Sequence, residues 1–350
     1  MQLAVVIASL KEHNAPLAYG NIIGSCISNI LGAFSLGLLF GDFYDAPLRH
    51  QGAIALPVAD DGDGREDGER GVGVLRFEKS AKICAIAQFV LTLIAVSLLS
   101  TSPYPTSPPS FDGSTPRIAH GSGTKIKGII LLVLFGVYIS AATFAIYKGV
   151  LDPPEGSSDS SSSSDSSEDT SDQLDGRQAA PHPSLLTRLR LLRLTLLPSL
   201  FTLLLSFLAL SLSGYILSHS ASSLASSFNL SQTTFGLTVL SLTTTLPEKF
   251  FAVVAGRKGK AEVLVSSAAG SNMFLLTLCA GVTLLASAPS LLEEGQLREG
   301  GRAGGEQWQV FAWTVFSSFS LLLVVLLGAR RWHGAAMLIL YVIFLCMQLR

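Results

Sequence analysis

Two charged residues, Glu248 and Lys249, stand inside an otherwise uncharged apolar run, GLTVLSLTTTLPEKFFAVVAG over 236–256. An ionisable group at membrane depth costs about 2.5–3.5 kcal/mol even on a lenient insertion scale, and it marks an ion or substrate path. Ser241, Thr245 and Glu248 follow at i, i+4 and i+7, and Thr244 lies four residues before Glu248, so all share one helical face. Pro247 lacks a backbone N–H and clashes with the preceding turn, which predicts a kink or unwinding there. Freed carbonyls, hydroxyls and one carboxylate make an oxygen-rich cage, the ligand set that hard cations such as Ca2+ and Na+ select. Lys249 is expected to pair with Glu248, to neutralise the site, or to reach an interface.

The next apolar run carries Gly270-Ser271-Asn272, with Ser267 and Ser271 on one face. The amide oxygen of Asn272 is a cation ligand by type. Antiparallel pairing across the short basic turn Arg257-Lys258-Gly259-Lys260 brings Gly270–Asn272 level with Pro247–Glu248. A second constellation lies in 17–41, LAYGNIIGSCISNILGAFSLGLLFG. Gly20, Gly24, Ser28 and Gly32 form a small-residue stripe for close helix contact. Asn21, Ser25 and Asn29 form a parallel polar stripe, either a set of interhelical hydrogen bonds or an oxygen-lined wall of an ion site.

The elements that must hold these residues are membrane spans. Only 14% of the 350 residues are charged, against about a quarter in soluble domains, and the charges sit in blocks. Eight apolar runs are long enough to cross a bilayer: 17–41, 83–100, 128–147, 196–218, 233–255, 263–287, 308–327 and 332–349. The expected class is all-α, a polytopic membrane protein. Residues 1–10, MQLAVVIASL, are too short to span and lack the basic start of a signal peptide, so they are expected to be the tail of a further helix whose first half is absent. Cys26, Cys84, Cys279 and Cys346 lie in apolar runs without a C-x-x-C pair and are expected to be small buried residues.

The intervening segments are of other kinds. The loop 42–82 holds an acidic stretch whose register fails a calcium loop, with Glu66 where the glycine belongs. A Pro/Ser/Thr linker separates the spans 83–100 and 128–147. The acidic serine tract within 148–195 is expected to be disordered. Ser162 and Ser166 there each precede an acid by three residues, which suits acid-directed phosphorylation. Arg188, Arg190 and Arg193 precede the next span as an anchor on an anionic leaflet.

Because loops alternate sides, 42–82, 148–195, 256–262 and 328–331 share one face, with 16 Lys and Arg against 7 on the other. The richer face is expected to be cytoplasmic. The glycosylation sequon at Asn229 falls on the opposite, lumenal or outer, side. A net charge of −1 suggests no nucleic-acid partner.

The two Gly-Ser motifs superimpose without gaps. Gly24-Ser25-Cys26 then meets Gly270-Ser271-Asn272, Lys11 meets Arg257, and Gln2 meets Glu248. The two copies enter their turns from opposite sides, which is the pattern of an inverted repeat with a central site.

GLTVLSLTTTLPEKFFAVVAGRKGKAEVLVSSAAGSNMF resembles the second alpha repeat of the calcium/cation antiporter superfamily, and GNIIGSCISNILGAFSLGLLF resembles the end of the first. The resemblance implies an inverted-repeat exchanger fold, with 1–41 as a partial first repeat and 233–287 as the second repeat inside a second half, 196–349. The spans 83–147 and the cytoplasmic loops lie between. It implies that Glu248 binds the ion, that Thr244 and Thr245 supply hydroxyl and carbonyl ligands, and that Asn272 and Ser271 line the partner helix. Ser25 and Cys26 hold the equivalent place in the first repeat. The implied activity is Ca2+ exchange for Na+ or H+ by alternating access, without a cofactor, in an endomembrane such as the vacuole rather than the plasma membrane. Gln2 stands where the first repeat's acid is expected, and Cys26 where an amide or carboxylate is common. The alternative is a non-transporting relative acting as a scaffold or regulator. An enzyme is not expected, since paired aspartates, His-Glu-x-x-His and G-x-S-x-G are all missing from the sequence.

Overall fold

In the computed structural model the described residues are 1–41, 75, 77–100, 120–148, 185–286 and 303–349. The calcium-loop stretch, the acidic serine tract with Ser162 and Ser166, and the Pro/Ser/Thr linker lie outside them. Ten helices carry the described chain: α1 (Gln2–Lys11), α2 (Ala15–Leu39), α3 (Lys79–Ser100), α4 (His120–Tyr147), α5 (Leu185–Ser227), α6 (Gln232–Thr244), α7 (Leu246–Arg257), α8 (Ala261–Ala286), α9 (Ala303–Leu327) and α10 (Arg331–Gln348). Seven are long and apolar enough to cross a membrane, and α6 with α7 makes an eighth, bent by 44°. These are the eight expected spans. At 1.5 Å per residue the ten residues of α1 reach about 15 Å, half the hydrocarbon thickness.

The chain forms two compact units, Met1–Asp152 with Ser213–Arg350, and Pro153–Leu212. In the smaller unit the described part is the start of α5, whose side chains from Pro198 to Leu210 are exposed. In the larger unit burial sorts the helices. The apolar window of α2 is 89% buried and that of α8 67%, against 6% for α4. A helix apolar all round and exposed, as α4 is, belongs against lipid. The polar stripes of α2 and the Gly-Ser-Asn motif of α8 therefore sit at the centre.

The repeat seen in the sequence recurs in the backbone at a constant offset of 246 residues. Helix α1 ends at Lys11 and α7 at Arg257; α2 starts at Ala15 and α8 at Ala261. Each turn between them contains one residue with positive φ, His13 (57°) and Gly259 (67°), at matching positions. Both long helices also loosen into a π-helical stretch just past the motif, over Ser28–Phe34 in α2 and Leu275–Cys279 in α8. Each π turn admits an extra residue and re-aims the side chains beyond it.

The small-residue stripe of α2 serves the crossing with α6. A Cβ on Gly24 would lie 2.2 Å from the Leu237 carbonyl oxygen, and one on Gly20 2.3 Å from that of Thr233. Loop contacts agree with the expected alternation of sides. Leu75 and Ala329 exchange backbone hydrogen bonds (2.9 and 2.8 Å), and the Glu78 N–H donates to Glu262 Oε1 (2.8 Å), joining segments assigned to one face. On the other face His219 pairs with Glu12 (3.3 Å), and Asn14 donates to Ser222 (3.2 Å) and Gln232 (3.1 Å). Two expectations for side chains change. Cys346 is exposed, so the cysteines are not uniformly buried, although all four are free. Lys249 is buried and forms no ion pair with Glu248; its ammonium turns to hydroxyls instead.

Candidate functional site

The site is built around the break between α6 and α7. Thr245 leaves the helical basin (φ −98°, ψ 9°), and Leu246-Pro247 starts the next helix at an angle. The missing N–H of Pro247 is tolerated in a first turn, where no partner is required. Glu248 follows in that first turn, at the positive end of α7. Leu246 and Pro247 are exposed, while Thr244 and Thr245 are fully buried. The break therefore presents its hydroxyls inward.

The single cage expected from the sequence divides into three neighbouring groups. In the first, Gln2 Oε1 accepts from Asn21 Nδ2 (3.3 Å) and from Ser25 Oγ (3.2 Å). Thr244 Oγ1 donates to Asn21 Oδ1 (3.0 Å) and approaches Ser25 Oγ (3.4 Å). The second gathers Ser28, Thr245, Lys249 and Tyr341. Lys249 Nζ donates to Ser28 Oγ at 2.7 Å and to the Thr245 hydroxyl, and Ser28 Oγ bonds the Tyr341 hydroxyl (2.9 Å). The third surrounds Glu248.

In the third group the hydrogen bonds run out. Glu248 Oε2 is buried without a hydrogen-bond partner, and so is Asn29 Oδ1. Both residues line one narrow cavity with Ser267 and Ser271. Asn29 Nδ2 is committed to Asn272 Oδ1 (3.1 Å), and Asn272 Nδ2 to the Cys26 carbonyl (3.0 Å). Asn272 and Cys26 are repeat equivalents, so this bond joins matching points of the two repeats. Glu248 also borders an open pocket of about 370 Å3, with Gln2, Leu3, Gly270 and Ser271. Its repeat equivalent Gln2 thus faces the same space.

Buried polar atoms are almost always paired, and an orphan costs about 1–3 kcal/mol. Two acceptor oxygens left bare in one cavity, one of them anionic, match a cation as the missing partner. Of the predicted residues, Glu248 and Ser271 meet at this cavity; Asn272 holds Asn29 in place; Ser25 and Thr244 lie in the first group, Thr245 in the second. Cys26 enters through its carbonyl, its side chain lying in the apolar core. Asn29, read from the sequence as part of a polar stripe that either hydrogen-bonds between helices or walls an ion site, fits both, through Nδ2 and the free Oδ1; the part of Tyr341 was not foreseen. The signal for Tyr341 is a lone phenol in an apolar span, whose hydroxyl requires a partner when buried.

A family model described as sodium/calcium exchanger protein matches residues 1–144 and 198–350. The chain belongs to this family. A curated relative, inner membrane protein YrbG of Escherichia coli (strain K12), is 32% identical over 74 residues, 21% of this chain and 21% of that protein. The matched stretch is thus about a fifth of that relative's length. Among solved structures, native YfkE aligns with 99% of this chain and 79% of its own at a TM-score of 0.56 and 14% identity. The sodium-calcium exchanger NCX_Mj, soaked with 2.5 mM Na+ and 1 mM Sr2+, aligns with 99% of this chain and 84% of its own at a TM-score of 0.50 and 16% identity. At these identities the likeness is one of fold: the inverted-repeat exchanger fold of a multi-pass membrane protein.

Proposed function

We propose that the protein is a secondary cation antiporter that carries Ca2+ against Na+ or H+ by alternating access, with Glu248 as the carboxylate for which the two ions compete. The observation that carries this reading is the pair of unpartnered acceptors, Glu248 Oε2 and Asn29 Oδ1, beside a broken helix. A carboxylate oxygen buried without an internal donor is satisfied by a guest, and a proton and a metal ion are alternative guests. Ser267 and Ser271 add hydroxyl oxygens to the same cavity. The richer basic face is taken as cytoplasmic, and an endomembrane as the site of action. Asn229, on an exposed turn between α5 and α6 with φ 53°, is the glycan acceptor on the opposite side.

The test is Ca2+ uptake into proteoliposomes driven by an outward Na+ or H+ gradient. Wild type is expected to accumulate Ca2+, and Glu248→Gln to lose at least about 100-fold in rate, the scale of losing one charge-assisted contact of about 3 kcal/mol. Equal uptake by the two proteins contradicts the reading. One observation favours the second reading, a non-transporting scaffold: the Gln2 side of the site is closed by its own hydrogen bonds. Absence of gradient-driven flux of any of these ions would select it.

A further inference from the structure

Lys249 is 8% exposed, and its ammonium makes no ion pair within 4 Å among the described residues, not even with the adjacent Glu248. A buried ammonium normally pairs with a carboxylate, because neutral groups seldom repay its lost hydration. Here its partners are neutral oxygens from α2 and the α6–α7 break: Ser28 Oγ (2.7 Å), the Thr245 hydroxyl, and the Thr245 carbonyl at 3.5 Å, with the Tyr341 hydroxyl of α10 bonded to Ser28 behind them. The Tyr341 ring centroid lies 5.8 Å from Nζ, within cation–π range. Gly32 makes the passage for the lysine stem, since a Cβ there would stand 3.2 Å from Lys249 Cε. Hydroxyl, hydroxyl and carbonyl oxygens gathered at a helix break are the ligand set of an alkali-metal ion. The ammonium is in the place of such an ion, attached to the chain.

We propose that Lys249 is a tethered monovalent cation: its ammonium fills an oxygen cage of Ser28 and Thr245 that binds an alkali-metal ion once the side chain is shortened. Carried over to transport, which rests on the antiporter reading, the protein moves one monovalent cation fewer per cycle than its oxygen ligands would hold. The binding site itself does not depend on that reading.

The experiment is equilibrium 22Na+ binding to the purified full chain in lipid nanodiscs, with N-methylglucamine holding ionic strength constant. Lys249→Ala is expected to bind one Na+ per chain more than wild type. The added ion is expected to survive a second change, Glu248→Gln, and to disappear with Ser28→Ala. Binding equal to wild type by a cooperatively melting Lys249→Ala overturns the proposal. Should Lys249→Ala be unfolded in Na+-free buffer, its thermal melt in NaCl against N-methylglucamine chloride decides. A Tm that rises more steeply with Na+ in the variant than in wild type supports the cage, and an unfolded state indifferent to Na+ overturns it. Unchanged Ca2+ uptake in Glu248→Gln would remove the antiporter reading and leave the extra Na+ in Lys249→Ala standing.

Discussion

Gln2 and Glu248 occupy equivalent places in the two repeats and border the same pocket, yet their surroundings treat them oppositely. Gln2 Oε1 takes two internal hydrogen bonds, from Asn21 and Ser25. Glu248 Oε2 takes none. The Gln2 end of the first repeat is closed by its own stripe residues Asn21 and Ser25, while Glu248 and, at the far end of that stripe, Asn29 each keep an acceptor oxygen without a donor. The same contrast runs through the motif glycines. A Cβ on Gly24 would strike the backbone of α6, whereas one on Gly270 would meet nothing within 4 Å. The first repeat is the packed half of the site and the second the open half. Equivalence of backbone, with helix ends and π turns in register, does not bring equivalence of chemistry.

The sharpest way to break this comparison is to add one methyl to each glycine. Gly24→Ala forces the α2–α6 crossing apart and is expected to cost about 3 kcal/mol, the upper range for overpacking. Gly270→Ala has room and is expected to stabilise the helix by about 0.5–1 kcal/mol. Thermal unfolding of both in detergent checks this, and equal losses would contradict the packed and open assignment.

Gln2→Glu asks whether the first repeat can be opened by charge alone. Gln2 Nε2 has no acceptor, so the change loses no hydrogen bond, and Oε1 keeps both donors. A second acid on the shared pocket is expected to tighten Ca2+ binding about tenfold, or 1.4 kcal/mol, read as a shifted half-saturation in 45Ca2+ binding. Unchanged or weaker affinity would mean that the two equivalents do not face one guest.

Asn29→Ala should give a smaller effect than Gln2→Glu. It removes one bare oxygen and one hydrogen bond, to Asn272. A neutral hydrogen bond is worth about 1 kcal/mol, so a loss of about fivefold in Ca2+ affinity is expected from the same binding curve. A loss as deep as that of Glu248→Gln would make Asn29 an equal partner and not a supplementary ligand.

Much of this was legible in the chain. Eight apolar runs gave the spans, Pro247 gave the break, and the ungapped match of Gly24-Ser25-Cys26 to Gly270-Ser271-Asn272 gave the repeat that the helix boundaries repeat. Helical spacing put Thr244, Thr245 and Glu248 on one face, whereas the break at Thr245 sends them to three neighbouring groups. What spacing could not carry is the π-helical stretch after each motif, since one extra residue per turn rotates everything beyond it. Ser28 and Asn29, on different stripes by spacing already, open the first such stretch; which neighbours they meet, Ser28 with Lys249 and Asn29 in the cavity of Glu248, is what spacing left open. Nor could sequence say which way Lys249 points. Neighbours in a helix do not face each other, but only the packing of α2 and α10 supplies hydroxyls on the far side. Gln2 was placed by alignment as the counterpart of Glu248; that its oxygen is already occupied is a fact of three dimensions.

The central claim is that the bare oxygen of Glu248, and not the bonded one of Gln2, holds the cation. Equilibrium 45Ca2+ binding to the purified chain tests it with two variants, Glu248→Gln and Gln2→Ala. The account predicts that Glu248→Gln weakens binding by at least about 100-fold, at least the worth of one charge-assisted contact, while Gln2→Ala changes it less than about threefold. Binding that survives Glu248→Gln, or that vanishes with Gln2→Ala in a folded protein, would contradict it.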